Sequence, residues 1–290
     1  MTNPRLNSVY RPLECRPDSY RGWYDRGNAL LEQGNYQEAL FSYDKALDYY
    51  PNDYWSWYKR GTVLEILGSF QQARISYQQA SRIKPNNYWA WYNCGCLCLA
   101  ELKDYQRAIA CFDRALESNP HDYWCQYSKG EAWHNLGEYY KAIACFDRAL
   151  TYRNRDYWAW YRRGDSLRKA GELEAAIKSY DEAIKEKPRD FWSWYRRGLT
   201  LQEMKSYDRA IQSYLQASAV EPEDEDLKYD LASCYAVSGK TADAIESLKF
   251  LLDLNFEKYL PLVRSHSVFK NLQAKQRIID LLSNYPPRSN

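Results

Sequence analysis

Tyr157-Trp158-Ala159-Trp160-Tyr161-Arg162-Arg163-Gly164 is a phrase the chain repeats almost word for word. Tyr54-Trp55-Ser56-Trp57-Tyr58-Lys59-Arg60-Gly61, Tyr88-Trp89-Ala90-Trp91-Tyr92-Asn93-Cys94-Gly95 and Phe191-Trp192-Ser193-Trp194-Tyr195-Arg196-Arg197-Gly198 are copies, and weaker ones begin at Tyr20 and Tyr123. The copies recur every 34 residues, with one interval of 35. A fixed period of this length marks a stack of small units, each burying its apolar face only against its neighbours.

Each unit reads as two helices. The apolar period is helical and breaks once, at Gly34, Gly68, Gly137 and Gly171. Glycine is favoured just past a helix end because it adopts the left-handed backbone conformation at little cost. The second half carries Ala39/Tyr43/Ala46, Ala73/Tyr77/Ala80, Ala142/Phe146/Ala149, Ala176/Tyr180/Ala183 and Ala210/Tyr214/Ala217, spacings that share one helical face. Pro51, Pro85, Pro120, Pro188 and Pro222 follow as stops. Asp53, Asn87, Asp122 and Asp190 sit where an N-cap accepts from the orphan amides of the next first helix.

The repeats run 20–53, 54–87, 88–122, 123–156, 157–190 and 191–224, with a degenerate seventh at 225–256. Residues 1–19 are an N-terminal tail or a truncated half-repeat cap. Residues 257–290 read as closing helices and a tail. Repeat three carries its extra residue between Gly95 and Tyr105 and lacks the turn glycine. This predicts a lengthened or distorted first helix there.

The formal net charge of +2 is too small to point to nucleic acid or membrane. No apolar run is long enough to span a bilayer and none resembles a signal peptide, so the expectation is a soluble, cytoplasmic protein. The eight cysteines fall at apolar mid-helix positions and read as buried free thiols. Cys94-x-Cys96-x-Cys98 lies within one helix and lacks tetrahedral ligand spacing. His121, His134 and His266 are scattered; His134 lies near Glu131 without a nucleophile. No phosphate-cradling glycine loop appears. The expectation is therefore no enzyme, no cofactor and no metal.

These residues resemble the tetratricopeptide repeat family: in repeat five Trp160, Gly164, Gly171, Ala176, Tyr180, Ala183 and Pro188 match its pattern. The resemblance covers roughly residues 20–256. The doubled Trp and the Arg before the Gly are similar to arrays common in bacteria, cyanobacteria in particular. The family resemblance implies an all-α, right-handed α-solenoid of stacked antiparallel helix pairs with C-terminal capping helices. It also implies a concave wall of first helices that commonly holds a partner's peptide or helix. Repeat four departs from the pattern at Gln126 and Asn154, which puts its packing on repeat three in question.

The two tryptophans of each phrase lie about 200° apart on a helix. Trp23, Trp57, Trp91, Trp160 and Trp194 share the face of the helical Gly and are expected to be core. Trp55, Trp89, Trp124, Trp158 and Trp192 face the other way, with Tyr24, Tyr58, Tyr92, Tyr127, Tyr161 and Tyr195 beside them. Two readings stand: these Trp stiffen the stack, or they form an aromatic ladder for a ligand. Groove positions in repeats one to three include Asn28, Thr62, Cys96, Leu31, Leu99, Ile66 and Ala100, apolar or neutral. Arg162, Arg168, Lys169 and Arg196 add charge in repeats five and six and suit an acidic feature of a partner, unless Asp165 and Glu203 neutralise them. The Lys/Asn pattern of the family's carboxylate clamps is matched only at Asn28.

The function these features imply is a non-catalytic protein-interaction module, a scaffold or assembly factor. The alternatives are single-stranded nucleic acid stacked on the Trp row and self-association through the groove.

Overall fold

The computed structural model describes residues 18–269 together with 278, 282 and 283. The expected N-terminal half-repeat and most of the closing segment beyond Phe269 lie outside the described residues. Among residues 18–269, fourteen α-helices follow one another: α1 Tyr20–Glu32, α2 Tyr36–Tyr49, α3 Tyr54–Ile66, α4 Phe70–Ile83, α5 Tyr88–Ala100, α6 Tyr105–Ser118, α7 Tyr123–Asn135, α8 Tyr139–Tyr152, α9 Tyr157–Lys169, α10 Leu173–Glu186, α11 Phe191–Glu203, α12 Tyr207–Ser218, α13 Glu225–Val237 and α14 Thr241–Ser265. No strand occurs among the described residues. The helices pair as antiparallel hairpins, and within each of two compact units each helix packs on its chain neighbours, so the fold is an α-solenoid. It divides into two compact units, one ending at Arg153 and the other starting at Asn154.

The hairpin core is a glycine meeting a ring. At Gly164 an added Cβ would lie 2.7 Å from Tyr180 Cε1, so only glycine lets α10 approach α9 this closely. Tyr180 and its counterparts Tyr43, Tyr77, Phe112, Phe146 and Tyr214 are fully buried. The alanines on either side of each ring are buried with it, as the 3–4 spacing requires.

The caps do two jobs. Asp53, Asp122, Asp156, Asp190 and Asp224 each accept from the backbone N–H three residues on, at 2.6–2.9 Å. The cap also receives a hydroxyl from the preceding repeat. Tyr54 donates to Asn87 (2.7 Å), Tyr88 to Asp122 (2.9 Å) and Tyr157 to Asp190 (2.7 Å). One short polar side chain thus starts a helix and ties it to the unit before it.

Repeat three corrects the expectation of a distorted first helix. α5 has the same 13 residues as its counterparts. The extra residue is taken up in the turn, where Lys103 sits at φ 51°, in place of the glycine that five other turns use. Asp104 then caps α6 through Arg107 N–H at 3.1 Å.

A second correction concerns the tryptophans expected in the core. Trp23 is buried, but Trp57, Trp91, Trp160 and Trp194 are only half-buried. Each of these four donates its indole N–H to the carbonyl six residues back: Pro51, Pro85, Asn154 and Pro188, at 2.7–2.9 Å. They clamp the inter-repeat turn, with a guanidinium over each ring at 5.6–5.8 Å. An indole carries a donor that needs a partner, which pulls it to the edge of the hairpin rather than its centre.

α14 is kinked at Asn255, whose backbone leaves the helical region (φ −155°, ψ 83°). Asn255 restarts the helix by accepting from Lys258 N–H at 3.1 Å. The second half docks back on α13, with Lys258 and Tyr259 both donating to Glu225. No described helix is long and apolar enough to cross a membrane.

Candidate functional site: the aromatic face of the first helices

The first turn of each first helix spreads its aromatics by the helix angle. In α3, Tyr54 is buried, Trp55 points out, Ser56 is buried and Tyr58 lies half-buried above Tyr54. The rings form a cluster: Trp55 meets Tyr54 edge-on at 5.0 Å and Tyr58 at 5.9 Å, while Tyr54 and Tyr58 stack at 5.9 Å. The same cluster recurs around Trp89, Trp124, Trp158 and Trp192, with ring centroids 4.9–5.2 Å from the preceding aromatic. All five outward Trp keep 44–55 % of their surface exposed. Cations stand beside several of them. Arg153 lies 5.3 Å from the Trp124 ring and Lys187 5.0 Å from the Trp158 ring.

The tyrosines are placed differently. Tyr58 hydroxyl accepts from Asn93 Nδ2 of the next repeat at 2.8 Å. Tyr195 donates to Asp230 Oδ2 at 2.8 Å. Tyr161 is buried, and its hydroxyl accepts from Arg196 Nε at 3.4 Å. Tyr92 and Tyr127 lie half-buried against Phe112 and Phe146, as Tyr24 does against Tyr43. Tyr58, Tyr161 and Tyr195 thus tie one repeat to the next, while Tyr24, Tyr92 and Tyr127 pack within their own hairpins. Burial raises the hydroxyl pKa of Tyr58, Tyr92, Tyr161 and Tyr195.

In repeats five and six the charges turn inward. Asp165 is 6 % exposed and accepts from Tyr180 hydroxyl at 2.8 Å. Arg162 Nη1 lies 3.4 Å and Arg196 Nε 3.7 Å from the same carboxylate. Arg168 pairs with Glu203 at 2.6 Å. Lys169 remains exposed. Asp165 and Glu203 therefore offset half of the positive charge that pointed to an acidic partner.

Within the first unit the face holds a cavity of about 430 Å³, lined by Tyr58, Thr62, Glu65, Ile66, Asn93 and Cys96 among others. Ile66 is exposed at its edge, and Glu65 accepts from Tyr77 hydroxyl at 2.8 Å. Burial pushes the Cys96 thiol up to about 11, so it is neutral at neutral pH. Thr62, Ile66 and Cys96 were expected here, whereas Leu31 and Leu99 pack against the core instead. Glu65 was missed, and Asn93 was weighed only as a clamp position and not as part of this cavity. Asn93 lies five residues after Tyr88, and a polar residue one turn past the aromatic cluster was the available signal. The other thiols among the described residues are free and buried; Cys94 and Cys111 Sγ lie 3.2 Å apart. No group of three metal-ligating side chains gathers among the described residues.

Models of the tetratricopeptide repeat match residues 17–88 and 99–157, 164–205 and 201–256. The chain belongs to the tetratricopeptide repeat family. Solved tetratricopeptide proteins share its fold. The C-terminal part of a TPR repeat-containing protein from Cytophaga hutchinsonii aligns with a TM-score of 0.68 at 16 % identity, covering 82 % of this chain and 98 % of that one. YrrB, described as a TPR protein with an unusual peptide-binding site, aligns at 0.56 and 21 % identity over 65 % of this chain and 96 % of its own. PilW, described as a type IV pilus biogenesis factor, aligns at 0.57 and 20 % identity, covering 74 % and 100 %. No curated protein matches the sequence.

Proposed function

We propose that this tetratricopeptide repeat protein is a non-catalytic protein-interaction module that holds a partner segment against the first-helix face of its repeats. The observation that carries the reading is the exposure of Trp55, Trp89, Trp124, Trp158 and Trp192, one in each of repeats two to six. The hairpin core is complete without them, since the ring against the helical glycine already fills it. Half-exposed indoles offer large contact area at low entropic cost and dominate interface energetics elsewhere. In the first unit, Trp55 leans on Tyr58, which lines the 430 Å³ cavity. A partner residue seated there would meet Thr62 and Asn93 as polar groups and Ile66 as an apolar edge. YrrB, which shares the fold, is described as having a peptide-binding site, and this supports the same class of ligand.

The test is a selection of random peptides displayed on phage against the full chain, repeated with Trp55→Ala/Trp89→Ala. The expected outcome is peptides whose affinity falls at least about tenfold in the double variant while its circular dichroism stays unchanged. Peptides bound equally by both proteins would assign the Trp row to stiffening the stack. Binding of oligo(dT) that weakens steeply with salt would favour nucleic acid instead.

A further inference from the structure

Repeat four lacks the second tryptophan of the phrase, and the place it would fill is a pocket. In four other repeats that indole donates to the carbonyl six residues back and lies under a guanidinium. At the same position α7 carries Gln126, and the corresponding carbonyl belongs to Pro120. Gln126 is 5 % exposed, and its buried Oε1 finds no hydrogen-bond partner among the protein groups. Such an acceptor is costly to leave unmet. It lines a cavity of about 410 Å³ whose wall includes Leu116, Pro120, Arg148 and Tyr152. That volume falls in the range of small-ligand sites.

The groups that serve the Trp91 indole have counterparts here. Arg114 lies over the Trp91 ring at 5.8 Å, and Arg148 stands one 34-residue repeat further on, in this wall. The Pro120 carbonyl accepts from Tyr152 hydroxyl at 3.4 Å, a long contact that leaves its second lone pair for another donor. The pocket therefore offers the Gln126 and Pro120 oxygens as acceptors, apolar surface from Leu116, Pro120 and the Tyr152 ring, and the Arg148 guanidinium, groups a ring with one N–H donor can use. Its remaining wall carries both signs of charge, with Lys129 paired to Asp113 at 2.5 Å. This mixture suits the neutral, doubly hydrogen-bonding backbone of a peptide better than an ionic small molecule.

We propose that repeat four receives an indole ring presented by a tryptophan side chain of a second polypeptide, seated where the neighbouring repeats place their own. This site shares no residue with the outward Trp row. Loss of one does not entail loss of the other.

The experiment titrates N-acetyl-tryptophanamide into the full chain and follows backbone amides by NMR. Binding with a Kd on the order of 1 mM is expected, with shifts centred on Gln126, Arg148 and Tyr152. Gln126→Trp should raise Tm by a few degrees and weaken the probe at least about tenfold by filling its place. Arg148→Ala, a surface change that leaves the core intact, should weaken it several-fold. Trp55→Ala/Trp89→Ala should leave it unchanged. The 1-methylindole analogue, which has no ring N–H, should bind at least about tenfold more weakly. Shifts elsewhere, undiminished binding to Gln126→Trp, or equal affinity of the methylated ring would overturn the proposal. Tighter binding of free indole than of the amide would overturn its assignment to a polypeptide.

Discussion

Asp230 shows how one side chain sets a pH dependence. It lies on α13 and accepts from Tyr195 hydroxyl of the preceding repeat at 2.8 Å. Burial, with Asp226 and Asp224 adding repulsion, raises its carboxyl from 3.8 to about 6. The folded state then binds a proton more readily than the unfolded chain between roughly pH 4 and 6. From this group alone, stability falls as pH rises through that window, and the penalty is complete near pH 7. Asp230→Asn keeps an acceptor for Tyr195 and removes the charge. It should stabilise the protein at pH 7 by at most about 3 kcal/mol and have little effect at pH 4. Urea melts at the two pH values check this; an equal shift at both would assign the effect to packing. At the same scale, the opposite placement of Trp158 and Trp160 was legible, because two positions on a helix differ by a fixed angle. The half-burial of Trp160 was not. It depends on the Asn154 carbonyl, which reaches the indole only once the turn is folded.

At the scale of elements, the turns between paired helices need one residue in the left-handed region. Glycine fills it at residues 34, 68, 137, 171 and 239, with φ between 72° and 85°. Lys205 occupies the same conformation at φ 59°. A side chain there carries a cost of about 1 kcal/mol that glycine avoids. Lys205→Gly should therefore raise Tm by a few degrees in a thermal melt. A decrease would mean that Lys205 makes a compensating contact. Helix starts were readable because an Asp or Asn before the aromatic phrase acts locally on its own helix. The second role of those caps, taking a tyrosine hydroxyl from the previous repeat, joins residues 33 or 34 apart and needs the stack. The misjudged first helix of repeat three has the same origin. An insertion goes where it disturbs least packing, and α5 is held on both sides while its turn is open.

At the scale of the whole molecule, helices within each unit contact their chain neighbours, and some first helices of successive repeats also meet, as α5 meets α7 and α11 meets α13. Stability in such an array is close to a sum of local terms and nearest-neighbour couplings, so cooperativity weakens with length. Native-state hydrogen exchange should give different opening free energies for α3 and α12, which lie in different units. One common value at all denaturant concentrations would show a single cooperative body.

The sequence by itself determined the period, the helix pairs, their caps and the division of each tryptophan pair into an outward and an inward member. All of these follow from interactions within about one turn or from the helix angle. Only the tertiary structure decided that Asp165 gathers Tyr180, Arg162 and Arg196, and that Gln126 opens a cavity beside Pro120 and Arg148. Charge pairing and empty volume depend on side chains converging from separate helices, and no spacing along the chain encodes where they meet.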